Sequence, residues 1–203
     1  MLSPDPVTTL VYTAGFAAFL SARWRVASAL FVIAVFLRPD SAVTNAVLAV
    51  AMIACAPREA VVVLLGSLGA YLLDVAVTGH VGWWGQVYLS FISPPPELTG
   101  FRPQFSLSAY LSILAKSSLE MLHLKWVFDA LGIVILAAIM LTKRSNRPAE
   151  VLLMALVVGM LVRFVAYPST EIRHYTPALF GLCLIVLRVG ASLVSFPVGR
   201  HQL

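Results

Sequence analysis

Charge is what this sequence has least of. Asp, Glu, Lys and Arg make up 11% of its 203 residues, against 60% hydrophobic residues, whereas a soluble domain carries about 25% charged residues. So few charges cannot cover a water-facing surface, and an integral membrane protein is expected. Acids are scarcer than bases, 9 against 14, and the resulting net charge of +5 reads as basic residues flanking membrane spans rather than as a nucleic-acid footprint. Cysteine is nearly absent: Cys55 and Cys183 both lie in apolar runs, with no CxxC and no His at ligand spacing, which argues against a disulfide framework or a cysteine metal site. A secretory signal is not expected, because "MLSPDPVTTLVY" has no basic n-region and "FLSAR" is a poor cleavage site. The sequence shows no solenoid repeat, Walker loop, HExxH or GxSxG, so none of the usual soluble catalytic motifs is available.

Long apolar runs are what the chain has in abundance. Seven candidate spans are read at Pro6–Ala22, Val26–Leu37, Ala42–Ala56, Ala60–Gly79, Trp126–Leu141, Ala149–Ala166 and Pro177–Val194. The second and third are kept apart rather than fused. Pro39 disfavours helix at Arg38, and two nearby ionised residues in mid-membrane are expensive. The loops carrying Arg23, Arg25, Arg58, Lys143, Arg144, Arg147 and Arg200 are basic and poor in acids. The positive-inside rule makes them cytoplasmic and places the N-terminus outside and the C-terminus inside. The expected fold is therefore all-α: a single-domain polytopic helix bundle over residues 1–203, of about seven spans.

The segment from about 80 to 125 then lies on the outer face. "WWGQVYLSFI" suits an interfacial helix, and "SPPPELTGFRP" suits a loop, because proline removes donors and fixes φ. Leu107, Tyr110, Leu111, Leu114, Leu119 and Leu122 recur at roughly helical spacing and predict an amphipathic juxtamembrane helix, capped by Ser106 or Ser108.

The unusual polar residues also converge on this outer face. Arg38 stands at the end of a short span, where a guanidinium can reach phosphate oxygens, and Asp40 is placed to cap the next helix. "YPSTEIRHYTP" puts Glu171, Arg173, His174 and Tyr175 before a helix that starts near Pro177. A helix N-terminus with Arg and His beside it can hold an anion, and an interfacial loop with solvated charges fits equally. Arg163 lies inside an apolar run, where an ionisable residue needs a partner, a cavity or a route to the interface; Glu171 is the expected partner. Asp74 could pair with Arg38 or Arg163, act as a base, or stay neutral. Asp129 is placed to suit the helix dipole of the fifth span.

Three of these stretches, "SARWR" followed by "FLRPD" and, much later, "RHYTPALFGLCLIVL", together resemble the C-terminal membrane portion of GT-C-type glycosyltransferases, which use polyprenyl-phosphate sugars. His174 stands where the second pattern of that family has Tyr. The N-terminal catalytic acid of those enzymes is not evident. The resemblance implies binding of a lipid-linked sugar and transfer outside the cytoplasm, in cell-envelope glycan assembly at a bacterial inner membrane. Arg38, Asp40, Arg173, His174 and Tyr175 would border the lipid-phosphate cavity, with Arg163 and Glu171 beside it. No cofactor is evident; a divalent metal would have to draw on Asp40, Asp74, Asp129 and Glu171. A protein partner would then supply the missing elements. The rival expectation is a non-catalytic membrane subunit of a larger complex.

Overall fold

The computed structural model describes residues 4–78, 87, 91, 104–143 and 145–194. Among these residues the chain is all-α, as expected. The helices are α1 Pro4–Leu20, α2 Trp24–Leu37, α3 Ser41–Met52, α4 Pro57–Thr78, α5 Leu107–Met121, α6 Lys125–Lys143, α7 Arg147–Ala166 and α8 Thr176–Val194, with a 3-10 turn at Ile172–His174. Each of the seven apolar runs forms one helix. Four of them, α4, α6, α7 and α8, are long and apolar enough to cross a membrane. The other three are shorter, at 17, 14 and 12 residues, or roughly 26, 21 and 18 Å at the helical rise, against a hydrocarbon core of about 30 Å. The interfacial helix and the proline loop expected between 80 and 103 lie outside the described residues, apart from Val87 and Phe91, which are helical.

Local chemistry explains the helix ends. Ser106 has extended backbone and accepts from the Ala109 N–H at 3.4 Å, so it caps α5. Asn146 caps α7 by accepting from Ala149 N–H, while the Glu150 carboxylate accepts back from Asn146 N–H. Ala22, between α1 and α2, takes φ of 54°, a left-handed conformation that reverses the chain at a cost of about 1–2 kcal/mol for a residue with a Cβ. Asp129 is the fifth residue of α6 and falls beyond its first turn, so the dipole role expected for it does not hold.

The helices pack side by side in both senses: α3 and α7 run antiparallel, while α6 and α8 run parallel, meeting at Trp126 and Tyr175 at one end and at Met140 and Gly190 at the other. α1 lies against α2 and α8, α3 against α4 and α7, α2 against α4, and α6 against α8. At one end Arg147 at the start of α7 donates to the Ala54 carbonyl after α3, at 3.2 Å. At the other, Arg163 near the end of α7 donates to the Asp40 carbonyl before α3, also at 3.2 Å. Tyr12, Phe16 and Phe31 form an aromatic core, with ring centroids 5.6–5.9 Å apart. Two glycines permit this closeness. A Cβ on Gly15 would stand 2.6 Å from a Phe31 ring carbon, and one on Gly181 would stand 2.8 Å from Leu156 Cδ1, the small-residue contact usual between membrane helices.

A polar network runs through this core. Asn45, fully buried on α3, accepts from the Tyr12 hydroxyl at 2.7 Å and donates to the Phe31 carbonyl at 2.6 Å and to Ser67 Oγ at 2.9 Å. One side chain thereby ties α1, α2 and α4 to α3.

Candidate functional site

The ends of α2, α3, α7 and α8 meet at a charged cluster. The break Arg38-Pro39-Asp40 turns the chain from α2 into α3 and aims both of its charged side chains at the end of α7. Arg38 Nε donates to the Asp40 carboxylate at 2.9 Å, and Arg163 donates to the same carboxylate from Nη2. Both guanidiniums also donate to His174 Nδ1, Arg38 at 2.5 Å and Arg163 at 3.1 Å. The 3-10 turn explains how His174 arrives there. Its tight winding sends consecutive side chains in different directions, so His174 is turned in, 10% exposed, while Arg173 is turned out, 59% exposed. Outside, Arg173 pairs with Glu171, whose carboxylate also faces His174 Nε2 at 3.6 Å.

Of the residues expected at the site, the structure joins Arg38, Asp40, Arg163 and His174 directly, with Glu171 and Arg173 at the rim. Tyr175 supports the loop instead: its hydroxyl donates to the Ser169 carbonyl at 2.8 Å and its ring stacks on Trp126. Two pairings differ from expectation. Asp40 occupies the cap position of α3 but makes no capping hydrogen bond, because its backbone is helical (φ −64°, ψ −13°) rather than the extended conformation a cap prefers, and because two guanidiniums hold its carboxylate. Arg163 pairs with Asp40 rather than Glu171, because α3 and α7 lie side by side. Tyr167, whose ring lies 5.5 Å from that of His174, packs against the cluster.

The electrostatics are consistent with this bonding. Burial alone would raise the Asp40 carboxyl, but Arg163 and Arg38 outweigh it and hold Asp40 below the usual carboxylate range. Burial, reinforced by Arg163 and Arg38, lowers His174 from 6.5 to about 4. His174 is therefore neutral at pH 7, with Nδ1 as acceptor and the proton on Nε2 toward Glu171. A depressed histidine stabilises the fold above its unfolded value, and that contribution is lost as pH falls through the folded one. Thermal stability in detergent is accordingly expected to decline between about pH 6.5 and 4, by at most about 3 kcal/mol. His174→Gln, which keeps an acceptor and cannot charge, should flatten this limb; an unchanged acid limb in that variant would rule out the assignment.

Arg163 has one further feature. Its Nε–H is buried and has no hydrogen-bond partner among the described residues, although the residue lines a cavity of about 30 Å³ with Tyr12, Arg38 and Ser41. Beside the cluster, Pro6, Leu10 and Thr13 of α1 and Phe180 of α8 wall an open groove of about 470 Å³, with Arg173 at its polar end. The donors do not suit a metal. No three His, Cys, Asp or Glu side chains come together among the described residues, and Asp40 is already held by two cations. Compared with protein-family models, curated proteins and solved structures, the chain matches none.

Proposed function

We propose that this chain binds a polyprenyl-phosphate-linked sugar at the extracytoplasmic face of a bacterial inner membrane and serves glycosyl transfer of the GT-C type in cell-envelope glycan assembly. In this reading all seven apolar helices cross the bilayer, the short ones by local thinning. The exposed Arg23, Arg25, Arg58, Lys143 and Arg147 lie at the helix ends opposite the cluster, which the positive-inside rule makes cytoplasmic.

The observation that carries the reading is the pair of guanidiniums, Arg163 buried and Arg38 partly buried, converging on one carboxylate and one neutral imidazole. Guanidiniums withdrawn from water are costly, and two that share an acceptor form the fork that phosphate oxygens match. In this reading the apolar groove, which has Arg173 at its polar end, takes the isoprenoid chain, and the phosphate reaches past Arg173 to the cluster. When the glycosyl C–O bond breaks, its electron pair passes to the phosphate oxygen. Fixed cations placed where that charge develops stabilise the transition state. A partner chain would contribute the base that activates the acceptor.

Native mass spectrometry of the protein in mild detergent tests the reading. The expected result is a retained mass matching a polyprenyl phosphate, lost in Arg38→Ala and in Arg173→Ala. Retention of a protein partner with no such lipid, or of the lipid in both variants, would replace this reading with that of an accessory membrane subunit.

A further inference from the structure

We infer that Asp40 is a resident stand-in for the ligand anion: its carboxylate occupies the place between Arg38 and Arg163 that a phosphate takes, and binding displaces it. The inference rests on the lipid-phosphate reading above.

Three observations support an exchange rather than a permanent ion pair. The first is access. The Asp40 side chain is 36% exposed, while those of Arg38 and Arg163 are 16% and 9% exposed. The anion therefore lies on the open side and the two cations behind it, so an incoming anion meets the carboxylate first. The second is anchorage. Apart from the two guanidiniums the Asp40 carboxylate makes no hydrogen bond among the described residues, and it does not cap α3. Arg163, by contrast, is also fixed through the Asp40 main-chain carbonyl and His174, so the clamp keeps its shape when the carboxylate leaves. The third is capacity. The buried Arg163 Nε–H is an unused donor, and a phosphate, with more oxygens than a carboxylate, can use it.

The exchange explains how two arginines are kept largely from water: Asp40 serves as their counter-ion until a ligand replaces it. It also sets the sign of a substitution that a metal-ligand or catalytic role for Asp40 would reverse. Removing the carboxylate frees the clamp, so binding tightens.

Undecaprenyl phosphate, phosphatidylglycerol and inorganic phosphate are titrated separately against wild type and Asp40→Asn in detergent at a fixed pH. The expected result is that undecaprenyl phosphate binds both proteins and binds Asp40→Asn more tightly, on the order of tenfold for one released charge contact. Equal or weaker binding by the variant overturns the exchange and leaves the lipid-phosphate reading intact. Tightening seen with inorganic phosphate or phosphatidylglycerol alone sustains the exchange and overturns the polyprenyl reading, and binding of none of the three by either protein overturns both. Asp40→Asn also leaves two arginines without their counter-ion, so it is purified with and without undecaprenyl phosphate. Recovery only in its presence supports displacement; failure in both preparations shows that the carboxylate is an irreplaceable structural partner and overturns it.

Discussion

Arg163→Ala is expected to reduce binding of a polyprenyl phosphate at least on the order of a hundredfold and to lower the thermal midpoint by roughly 4–8 °C. The two effects have separate origins. Arg163 is buried on α7 and holds Asp40 twice, through the carboxylate and the main-chain carbonyl, as well as His174 Nδ1. Cutting one partner from a buried charge pair costs about 3–5 kcal/mol. The loss here is smaller, about 2 kcal/mol, because the Asp40 carboxylate is partly exposed and keeps Arg38. For a chain of this size that corresponds to the stated fall in midpoint. On the proposed lipid-phosphate reading the loss of binding is larger, because a phosphate there loses half of a two-cation fork, and truncating one side of a hydrogen-bonded charge pair costs about 2–5 kcal/mol. Arg163→Lys separates the two effects further. An ammonium keeps the charge but cannot reach the carbonyl, the carboxylate and the imidazole together, so stability should recover more than affinity. Paired titrations and melts of the two variants are the check, and unchanged affinity in Arg163→Ala would remove Arg163 from the site.

The architecture was legible because its causes are local. Apolar runs long enough to bury themselves became helices, and the break at Arg38-Pro39-Asp40 separated α2 from α3, as proline and paired charges dictate. The residues of the cluster were legible too, since Arg163 in an apolar run and the charges of "YPSTEIRHYTP" each need an explanation that packing cannot supply. Their pairing was not. Whether Arg163 meets Glu171, eight residues on, or Asp40, 123 positions back, depends on α3 lying beside α7, and no periodicity encodes that neighbour. The cap assignment failed for a related reason. Asp at that position is a good cap in isolation, but two guanidiniums brought by tertiary packing compete for its carboxylate. Span number was the least legible property, because the 12 residues of α3 are too few for length alone to tell a crossing from a buried hairpin arm.

Asn45 was missed altogether, and the second large effect belongs to it. In "SAVTNAVLAV" a single amide among apolar residues looks incidental, yet it is fully buried and its side chain makes three hydrogen bonds to three other helices. Leucine at this position keeps the same branched skeleton, with bulkier methyl tips, and satisfies none of them. Hydrogen bonds between membrane helices average about 0.6 kcal/mol each, and more where a buried group is left bare, so Asn45→Leu should cost about 2–3 kcal/mol and lower the midpoint by roughly 4–12 °C. The network also predicts how the loss combines with a second one. The Tyr12 hydroxyl donates to Asn45 Oδ1 and, at 3.2 Å, to the Ser41 carbonyl, so removing that hydroxyl after Asn45 has gone forfeits only the longer bond. Tyr12→Phe should therefore destabilise the wild type clearly and the Asn45→Leu background little, a coupling that a double-mutant cycle reads directly. Additive losses, or an Asn45→Leu protein as stable as wild type, would show that the four helices are held by apolar packing alone. The expected coupling would instead make this network the brace for the start of α3, and through Ser41 for the neighbouring Asp40 on which both arginines converge.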